Sequence, residues 1–320
     1  MPLGFDFPIE KLKDYQGLNP KPADFDAFWA AGLTEMMETD PEVKLTLASF
    51  QVPYAECFDL YFTGTGNARV YAKFLRPKEI KKEAPALLNF HGYSGASASW
   101  ISYLPYVAAG YVVAALDCRG QAGRSEDKGG VRGATLRGHI IRGLADAPEK
   151  LYYRHVFLDT AMLARVVADR AEVDSARMGA FGGSQGGALT LACASLHPSL
   201  KRIAPIFPFL CDYQRVWQMD QAKDAYWELQ DYFKKFDPLH KTESDVFQRL
   251  GYIDCQHLSP RIQAEVQWYT GLMDTICPPS TQFAAYNKIT AKKNMVIYPD
   301  FGHEGLPGEP EATMQFLLGI

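Results

Sequence analysis

Residues 182–186 read Gly-Gly-Ser-Gln-Gly, and the sequence on either side of this Gly-X-Ser-X-Gly pattern limits the fold strongly. A short apolar stretch precedes the pattern, and a run with helical character extends from it to Leu196. A strand, this pattern and a helix in that order are typical of a sharp turn that exposes the serine hydroxyl. Neighbouring segments of the backbone pass close to such a turn, and Gly182 and Gly186 have no side chains to obstruct them. We therefore expect Ser184 to be a nucleophile rather than only a helix cap.

The chain from Pro85 onward alternates between apolar strand-like runs and helical runs. Several strand-like runs are almost continuously apolar, as is usual for parallel strands that are covered on both faces. This alternation predicts an α/β-hydrolase fold with a doubly wound, mostly parallel sheet. The predicted strands are Ala86–Phe90, Tyr111–Leu116, Met178–Phe181, Ile203–Phe207, Glu265–Tyr269 and Met295–Tyr298, and the predicted helices are Tyr103–Ala109, Val156–Arg170, Gln185–Leu196, Pro279–Ile289 and Glu309–Leu318.

Two segments depart from this rhythm, although residues 1–320 are predicted to form a single domain. Residues 1–60 have the pattern of an N-terminal extension that contains a helix over Ala23–Glu38. Residues 212–259 are rich in polar and aromatic residues at helical spacing, which predicts a helical insertion. We expect this insertion to cover the C-terminal edge of the sheet, where ligands bind in such folds. Strand-like runs in and after the extension cover Lys44–Val52, Cys57–Phe62 and Arg69–Leu75.

A serine hydroxyl becomes a nucleophile near neutral pH only if a base removes its proton and a third group orients that base. In the α/β-hydrolase fold the chain order is serine, acid, histidine, and each residue follows its own strand. Asp274 follows the predicted strand Glu265–Tyr269, and His303 follows Met295–Tyr298. The sequence therefore predicts a catalytic triad of Ser184, Asp274 and His303.

Other residues could take these positions, and the sequence leaves them open. Asp300 lies on the same predicted loop as the candidate histidine, and Asp254 lies in the insertion. Asp212 also ends a predicted strand, but one strand earlier than the strand that usually precedes the acid. His91 also ends a strand, but it precedes the serine in the chain. We expect His91 to hold its loop through hydrogen bonds rather than to act as the base.

Acyl transfer also needs two backbone N–H groups that point at the developing oxyanion. Gln185 follows the nucleophile and is expected to supply one of them. The loop after the strand that ends at Phe90 is expected to supply the other, and Tyr93 is the predicted donor. The Tyr93 side chain would then lie beside the acyl group.

Composition argues against several other functions. The net charge is −4 and no basic stripe is present, which argues against a nucleic acid or an anionic membrane as the partner. No stretch approaches the roughly 20 apolar residues of a membrane span, and the N-terminus lacks the pattern of a signal peptide. The six cysteines form no Cys-X-X-Cys pair, so we expect reduced thiols in a cytoplasmic protein. No metal-binding or nucleotide-binding motif occurs, and neither a metal nor a cofactor is expected.

With these motifs in view, the chain resembles carbohydrate esterase family seven, the acetyl xylan esterases and cephalosporin C deacetylases. The similarity extends over nearly the whole chain. The stretches that carry it are Phe5–Ile9, Asp24–Trp29, Arg119–Gln121, Gly182–Gly186, Gly271–Asp274, Cys277–Thr281, Phe283–Asn287 and His303–Glu304.

The resemblance implies removal of acetyl groups from small acetylated sugars such as xylo-oligosaccharides, and from cephalosporin C. It assigns Ser184, Asp274 and His303 to the triad, and Tyr93 and Gln185 to the oxyanion site. It also implies an intracellular homohexamer whose active sites face an internal cavity. The loop from Ala122 to Arg142, rich in glycine and charge, is the variable part, and substrate preference is therefore the property that the resemblance determines least.

Several residues near these motifs invite a catalytic role that the sequence does not require. Arg119 and Gln121 lie just after a strand, and we expect them to tie loops together near the serine. Cys277 shares a loop with the predicted acid and lacks a base of its own, so we expect it to line the pocket. Phe209 and Leu210 are expected to narrow the acyl site.

Two other functions fit parts of the pattern. A serine peptidase of the prolyl oligopeptidase type has a similar nucleophile turn, but such enzymes usually carry a large N-terminal domain. A catalytically silent hydrolase fold used as a binding protein usually lacks one member of the triad, whereas all three candidates are present here.

Overall fold

The computed structural model of this chain describes residue 4 and residues 6–80, 82–131 and 138–320. Phe5, which belongs to one of the stretches that carry the family resemblance, therefore lies outside the described residues, as does part of the loop from Ala122 to Arg142. Within them, a nine-stranded sheet has the order β1-β2-β3-β5-β4-β6-β7-β8-β9. The strands are β1 Lys44–Leu47, β2 Ala55–Gly64, β3 Ala68–Pro77, β4 Ala84–Phe90, β5 Val112–Leu116, β6 Val173–Gly183, β7 Arg202–Ile206, β8 Glu265–Gly271 and β9 Lys293–Tyr298.

Strands β4 to β9 pair only in parallel with one another, whereas β1, β2 and β3 extend the sheet antiparallel beyond β5. All five residues of β5 are buried, because helices cover both faces of this part of the sheet. The predicted α/β-hydrolase fold with a mostly parallel sheet is confirmed. Strand β6 begins at Val173, five residues before the predicted start, because three of residues 174–177 are polar and hid its first part.

Helices pack on both faces of the sheet. The helix after the serine spans Gln185–Leu196, as predicted, and every one of its residues is buried. The predicted helix Val156–Arg170 instead spans Tyr152–Ala168, because Tyr152 and Tyr153 are also buried against the core. The helices are α1 Ile9–Asp14, α2 Phe25–Glu38, α3 Leu104–Ala108, α4 Tyr152–Ala168, α5 Gln185–Leu196, α6 Tyr213–Gln218, α7 Trp227–Phe236, α8 Glu243–Leu250, α9 Cys255–Leu258, α10 Pro279–Tyr286 and α11 Glu309–Leu317.

The N-terminal segment is anchored far along the chain. The Tyr15 hydroxyl donates a 2.7 Å hydrogen bond to Asp212, and the Asn19 N–H donates a 2.8 Å bond to the same carboxylate. The indole N–H of Trp29 in α2 donates to the carbonyl of Tyr252 at 3.0 Å. The predicted strand Lys44–Val52 ends at Leu47, and a turn at residues 53–54 leads into β2.

Helices α6 to α9 occupy the segment predicted as an insertion. The Cys255 N–H at the start of α9 donates to the carbonyl of Leu210, which follows β7, at 3.0 Å. Glu228 in α7 accepts a hydrogen bond from Tyr93, which follows β4. The segment therefore contacts loops at the C-terminal ends of two parallel strands. Among the described residues, no helix is long and apolar enough to cross a membrane.

Candidate active site

Ser184 lies at the turn between β6 and α5. Its backbone angles are φ 58° and ψ −118°, and a positive φ of this kind is strained for any residue except glycine. The Ser184 N–H donates to the carbonyl of Ile206 at 2.9 Å, and the Ser184 carbonyl accepts from the Phe209 N–H at 3.0 Å. Strand β7 and the chain after it thus hold the strained turn from one side.

The glycines around the turn are required by close packing. A Cβ on Gly182 would lie 2.5 Å from the carbonyl oxygen of Phe90, which is well inside contact distance. A Cβ on Gly187 would lie 2.8 Å from the carbonyl oxygen of Ile206. Glycine at these positions therefore lets β6 and α5 approach their neighbouring strands closely enough to form the turn.

Three side chains from three loops form a continuous hydrogen-bonded chain. The Ser184 Oγ lies 3.0 Å from Nε2 of His303, and Nδ1 of His303 lies 2.9 Å from Oδ2 of Asp274. Asp274 follows β8 and His303 follows β9, so parallel strands deliver both residues to the sheet edge that carries the serine. This geometry allows the imidazole to take the hydroxyl proton while the carboxylate fixes its tautomer.

The second carboxylate oxygen of Asp274 is held by its own loop. The N–H groups of Ile276 and Cys277 donate to Oδ1 at 2.9 Å and 2.8 Å. Asp274 is fully buried, whereas the imidazole of His303 keeps partial access to solvent. The carboxylate is thus oriented before any substrate arrives, and the imidazole remains within reach of one.

The alternative acids lie elsewhere or lack the contact. Asp212 accepts from Tyr15 and from backbone N–H groups of the N-terminal segment. Asp254 caps α9 by accepting from the Gln256 N–H at 3.0 Å. Asp300 is exposed. The carboxylate that contacts the candidate base is therefore that of Asp274.

His91, the alternative base, has both ring nitrogens engaged in its own loop. Nδ1 lies 2.7 Å from the carbonyl oxygen of Gly92, and Nε2 accepts from the Cys118 N–H at 2.9 Å. Burial lowers the pKa of His91 below its usual value. The ring therefore joins the ends of β4 and β5, the holding role expected of it.

The two predicted oxyanion donors flank the serine. Gln185 is the first residue of α5, and the first N–H groups of a helix have no acceptor within the helix. Tyr93 lies in the loop after β4, the neighbour of β6 in the sheet. The Gln185 side chain bridges to that loop, because its amide nitrogen lies 3.3 Å from the carbonyl oxygens of His91 and Gly92.

Arg119 and Gln121 make structural contacts. The guanidinium of Arg119 binds the buried Asp159 through two hydrogen bonds of 2.7 Å and 2.6 Å. The Gln121 side chain donates to the side-chain oxygen of Gln185 at 2.8 Å and to the Tyr152 hydroxyl at 3.1 Å. Both residues therefore brace the loops behind the serine, as expected. Asp159 was missed because a lone acid inside an apolar helix gives no sequence signal.

Cys277 lies beside the candidate triad. Ligand atoms of Asp274, Cys277 and His303 all lie within 4.8 Å of one another, the one such group among the described residues. The 2.9 Å hydrogen bond between Asp274 and His303 accounts for this closeness without an ion between them. Burial raises the pKa of the Cys277 thiol well above its usual value, so the thiol is protonated at neutral pH and lacks the reactivity of a thiolate.

Aromatic rings crowd the space around the serine. The ring centroid of Phe207 lies 4.5 Å from that of His303, and the ring of Phe209 lies 5.5 Å from that of Tyr93. A cleft of about 460 Å³ is lined by Tyr93, Gln121, Glu228 and neighbouring residues. Phe207 and Glu228 were not found by sequence reasoning. The sequence held one weak indication that Glu228 is buried. It lies next to Leu229, which together with Phe233 forms the apolar face of α7.

The chain matches one family model over almost its whole length. This model describes the acetyl xylan esterase (AXE1) family and matches residues 1–319. Among solved structures, acetyl xylan esterase 1 from Thermoanaerobacterium sp. JW/SL YS485 is similar, with a TM-score of 0.97 and 53% identity over 98% of this chain and 99% of that one.

Two further relatives are more distant. An acetyl xylan esterase from Paenibacillus sp. R4 has a TM-score of 0.93 and 33% identity over 98% of this chain and 99% of that one. The acetyl esterase Axe7A of Xylanibacter ruminicola is 26% identical over 302 residues, which is 92% of this chain. The chain spans 65% of the length of that relative.

Proposed function

Because the chain belongs to the acetyl xylan esterase family, carbohydrate esterase family seven, we propose that it is a serine esterase that removes acetyl groups from small acetylated carbohydrates such as xylo-oligosaccharides. The observation that carries this proposal is the hydrogen-bonded chain from Ser184 through His303 to Asp274. It stands at the C-terminal edge of a mostly parallel sheet, where enzymes of this fold carry out acyl transfer.

The first half of the reaction forms an acetyl-enzyme. His303 Nε2 takes the proton of the Ser184 hydroxyl as Oγ attacks the acetyl carbonyl carbon. The tetrahedral intermediate then collapses, the bond to the sugar oxygen breaks, and His303 returns the proton to that oxygen. Asp274 keeps the Nδ1 proton in place and stabilises the imidazolium, which its fully buried carboxylate can do without competition from water.

The second half removes the acetyl group. A water molecule attacks the acyl carbon and gives one proton to His303. The bond from that carbon to Ser184 Oγ then breaks, His303 returns the proton to Oγ, and acetic acid leaves and ionises to acetate. The N–H groups of Tyr93 and Gln185 donate to the oxyanion in both halves. Loss of one such donor costs about 10²- to 10³-fold in turnover in other serine hydrolases, which sets the scale of their contribution.

The surroundings of the serine support a short acyl group. Phe209 is fully buried and packs against Tyr93, and Cys277 fills the space beside the triad. Leu210 is buried in the same segment. We therefore expect hydrolysis to fall steeply from acetyl to propionyl to butyryl esters of one alcohol. Equal rates for the three esters would contradict a dedicated deacetylase.

The proposal is tested by Ser184→Ala, assayed with 4-nitrophenyl acetate and with acetylated xylo-oligosaccharides. We expect turnover to fall by about 10⁵- to 10⁶-fold with both substrates. Ser195→Ala is a matched control, because Ser195 lies in α5 but bonds the carbonyls of Leu191 and Leu258. Most of the activity is expected to survive in this control. Activity retained by Ser184→Ala would refute the assignment.

Two measurements separate this function from the alternatives. A serine peptidase of the prolyl oligopeptidase type would release the amine from a peptide anilide, whereas an esterase releases acetate alone. A catalytically silent binding protein would not react with a fluorophosphonate probe. We expect the probe to label the parent protein at Ser184 and to leave Ser184→Ala unlabelled.

Membership of the family also supports three finer proposals. The enzyme removes the acetyl group of cephalosporin C, which release of acetate from that compound tests. It assembles as a homohexamer, for which light scattering after gel filtration is expected to give a mass about six times that of the 35.7 kDa chain. It is cytoplasmic, which the free state of all six cysteines supports, and cell fractionation tests this location.

A further inference from the structure

Glu228 is a buried carboxylate that connects three parts of the molecule. It lies in α7, yet its Oε1 accepts a 2.6 Å hydrogen bond from the hydroxyl of Tyr93 in the loop after β4. Its Oε2 accepts a 3.0 Å hydrogen bond from the N–H of Ile141. Glu228 is 2% exposed, so little of its surface meets water even though it forms part of the cleft wall.

The third part, residues 138–141, is fitted closely around this carboxylate. A Cβ on Gly138 would lie 2.2 Å from Oε2 of Glu228, and Gly138 has a φ of +78°. The His139 N–H donates to the Tyr93 hydroxyl at 3.2 Å, and the His139 ring packs edge-on against the Tyr93 ring. The Tyr93 side chain therefore has its hydroxyl bonded on two sides and its ring clamped between His139 and Phe209.

We propose that Glu228 is a positioning residue of the esterase, whose carboxylate holds Tyr93 so that the Tyr93 backbone N–H points at the oxyanion. This inference rests on the proposed function, in which that N–H is one of the two oxyanion donors. Tyr93 joins the two sites, because its side chain faces Glu228 and its backbone follows β4 beside the serine turn. A displacement of about 1 Å in such a group can cost about 10²-fold in rate.

The ionised carboxylate is the form that suits this site. Tyr93 and Ile141 present two donors to the two oxygens of Glu228. When Glu228 is protonated, the Ile141 N–H cannot accept its new proton, so the hydroxyl of Glu228 can donate only to the Tyr93 oxygen. The Tyr93 proton then has to turn away from Glu228, and its charge-assisted hydrogen bond is lost. A glutamine at this position has the same defect, because its NH₂ group also faces Tyr93 as a donor. Glu228→Gln is therefore a mimic of the protonated state.

Burial raises the pKa of Glu228 to about 7, and the hydrogen bonds from Tyr93 and the backbone oppose this rise. Protonation below that pH then loosens Tyr93 and lowers turnover. The neighbouring groups titrate elsewhere, since burial lowers the pKa of His139 to about 4 and raises the pKa of Tyr93 above its usual value. The other titratable or charged side chains that face this cluster are His91, Asp127, Arg142, Tyr152 and Tyr153.

A double-mutant cycle tests the inference. Glu228→Gln, Tyr93→Phe and the double variant are assayed with 4-nitrophenyl acetate from about pH 6 to about pH 9. We expect Glu228→Gln to lower kcat by about 10- to 100-fold with KM changed less than about threefold. The double variant is expected to be no worse than the poorer single variant, because both changes break one contact. Among the parent and these three variants, only the parent should show an added ionisation near pH 7.

The matched control is Asp231→Asn, since Asp231 lies in the same helix, is also buried and pairs with Lys235 at 2.8 Å. We expect this variant to keep the kcat and the pH profile of the parent. An unchanged kcat in Glu228→Gln, effects that multiply in the double variant, or an equal loss in Asp231→Asn would overturn the inference. If Ser184→Ala is inactive while Glu228→Gln keeps the kcat of the parent, only this inference is overturned. If Ser184→Ala is active, the proposed function is overturned.

Discussion

The carbonyl oxygen of Phe90 lies so close to Gly186 that a Cβ on that glycine would be 2.0 Å away from it. Phe90 ends β4 and Gly186 belongs to the first turn of α5, so this contact sets how deeply the helix sits against the sheet. The position of the nucleophile therefore depends on a backbone carbonyl of the neighbouring strand as well as on its own turn.

Gly186→Ala is expected to move α5 away from β4 and to displace the Ser184 hydroxyl from His303. We expect a loss of at least about 10²-fold in kcat and a fall in thermal stability, since overpacking costs roughly 1–3 kcal/mol. Gly130→Ala is the control, because a Cβ there meets nothing within 4 Å. Equal activity in the two variants would show that the contact with Phe90 can relax without effect on the nucleophile.

Asp274→Asn is expected to keep the fold and to lower kcat by about 10⁴-fold, as an amide in this place favours the wrong tautomer of the histidine. The assay is steady-state hydrolysis of 4-nitrophenyl acetate. Asp300→Asn is the matched control on the loop of His303, and its exposed side chain is expected to leave kcat unchanged. A larger loss in Asp300→Asn than in Asp274→Asn would reverse the assignment of the acid.

Removing one partner of the pair between Arg119 and Asp159 is expected to destabilise the protein. Both side chains are almost fully buried, and burial raises the pKa of Asp159 while the Arg119 charge opposes that rise. Arg119→Met leaves a buried charge unpaired, which costs about 3–5 kcal/mol. The double variant Arg119→Met/Asp159→Asn is expected to recover part of this loss. Chemical denaturation measures the free energy of unfolding of the single and the double variant. Equal stability of Arg119→Met and the parent would contradict the prediction.

Glu228 is also expected to give stability a characteristic dependence on pH. Its pKa is raised from 4.5 to about 7 by burial, so the folded state binds this proton more tightly than the unfolded state does. The resulting stabilisation is present below about pH 4.5 and is lost as the pH rises through about 7. Because Glu228→Gln cannot ionise, its free energy of unfolding relative to the parent is expected to rise across this range by on the order of 3 kcal/mol. A constant difference between the two proteins would contradict the shift.

The sequence carried the parts of the site that depend on chain order. Strand, serine turn and helix are contiguous, and the helix Gln185–Leu196 was predicted to its end residues. Asp274 and His303 were found because each follows a recognisable strand, and parallel strands bring their ends to one edge of the sheet.

Contacts that depend on packing between distant segments could not be predicted. Glu228 meets Tyr93 across 135 residues, and Asp159 meets Arg119 across 40, and nothing in the local sequence of either acid marks it as a partner. The start of β6 was missed for a related reason, since residues 174–177 are mostly polar and lie where the register between β4 and β6 shifts. The spacing of apolar residues and the residue types in turns predict local structure. The contacts of Glu228 and Asp159, in contrast, form only once the sheet has assembled.

The anchor of the N-terminal segment imposes an order on folding. Tyr15 binds Asp212, a residue 197 positions further along the chain, and Asn19 binds the same carboxylate. A ribosome must therefore complete the strands up to β7 and the start of the insertion before the first helix can find its place. During synthesis the N-terminal segment is made first but cannot dock until Asp212 has been made. In refolding we expect the contact between this segment and Asp212 to form late, because it is far from local in the sequence.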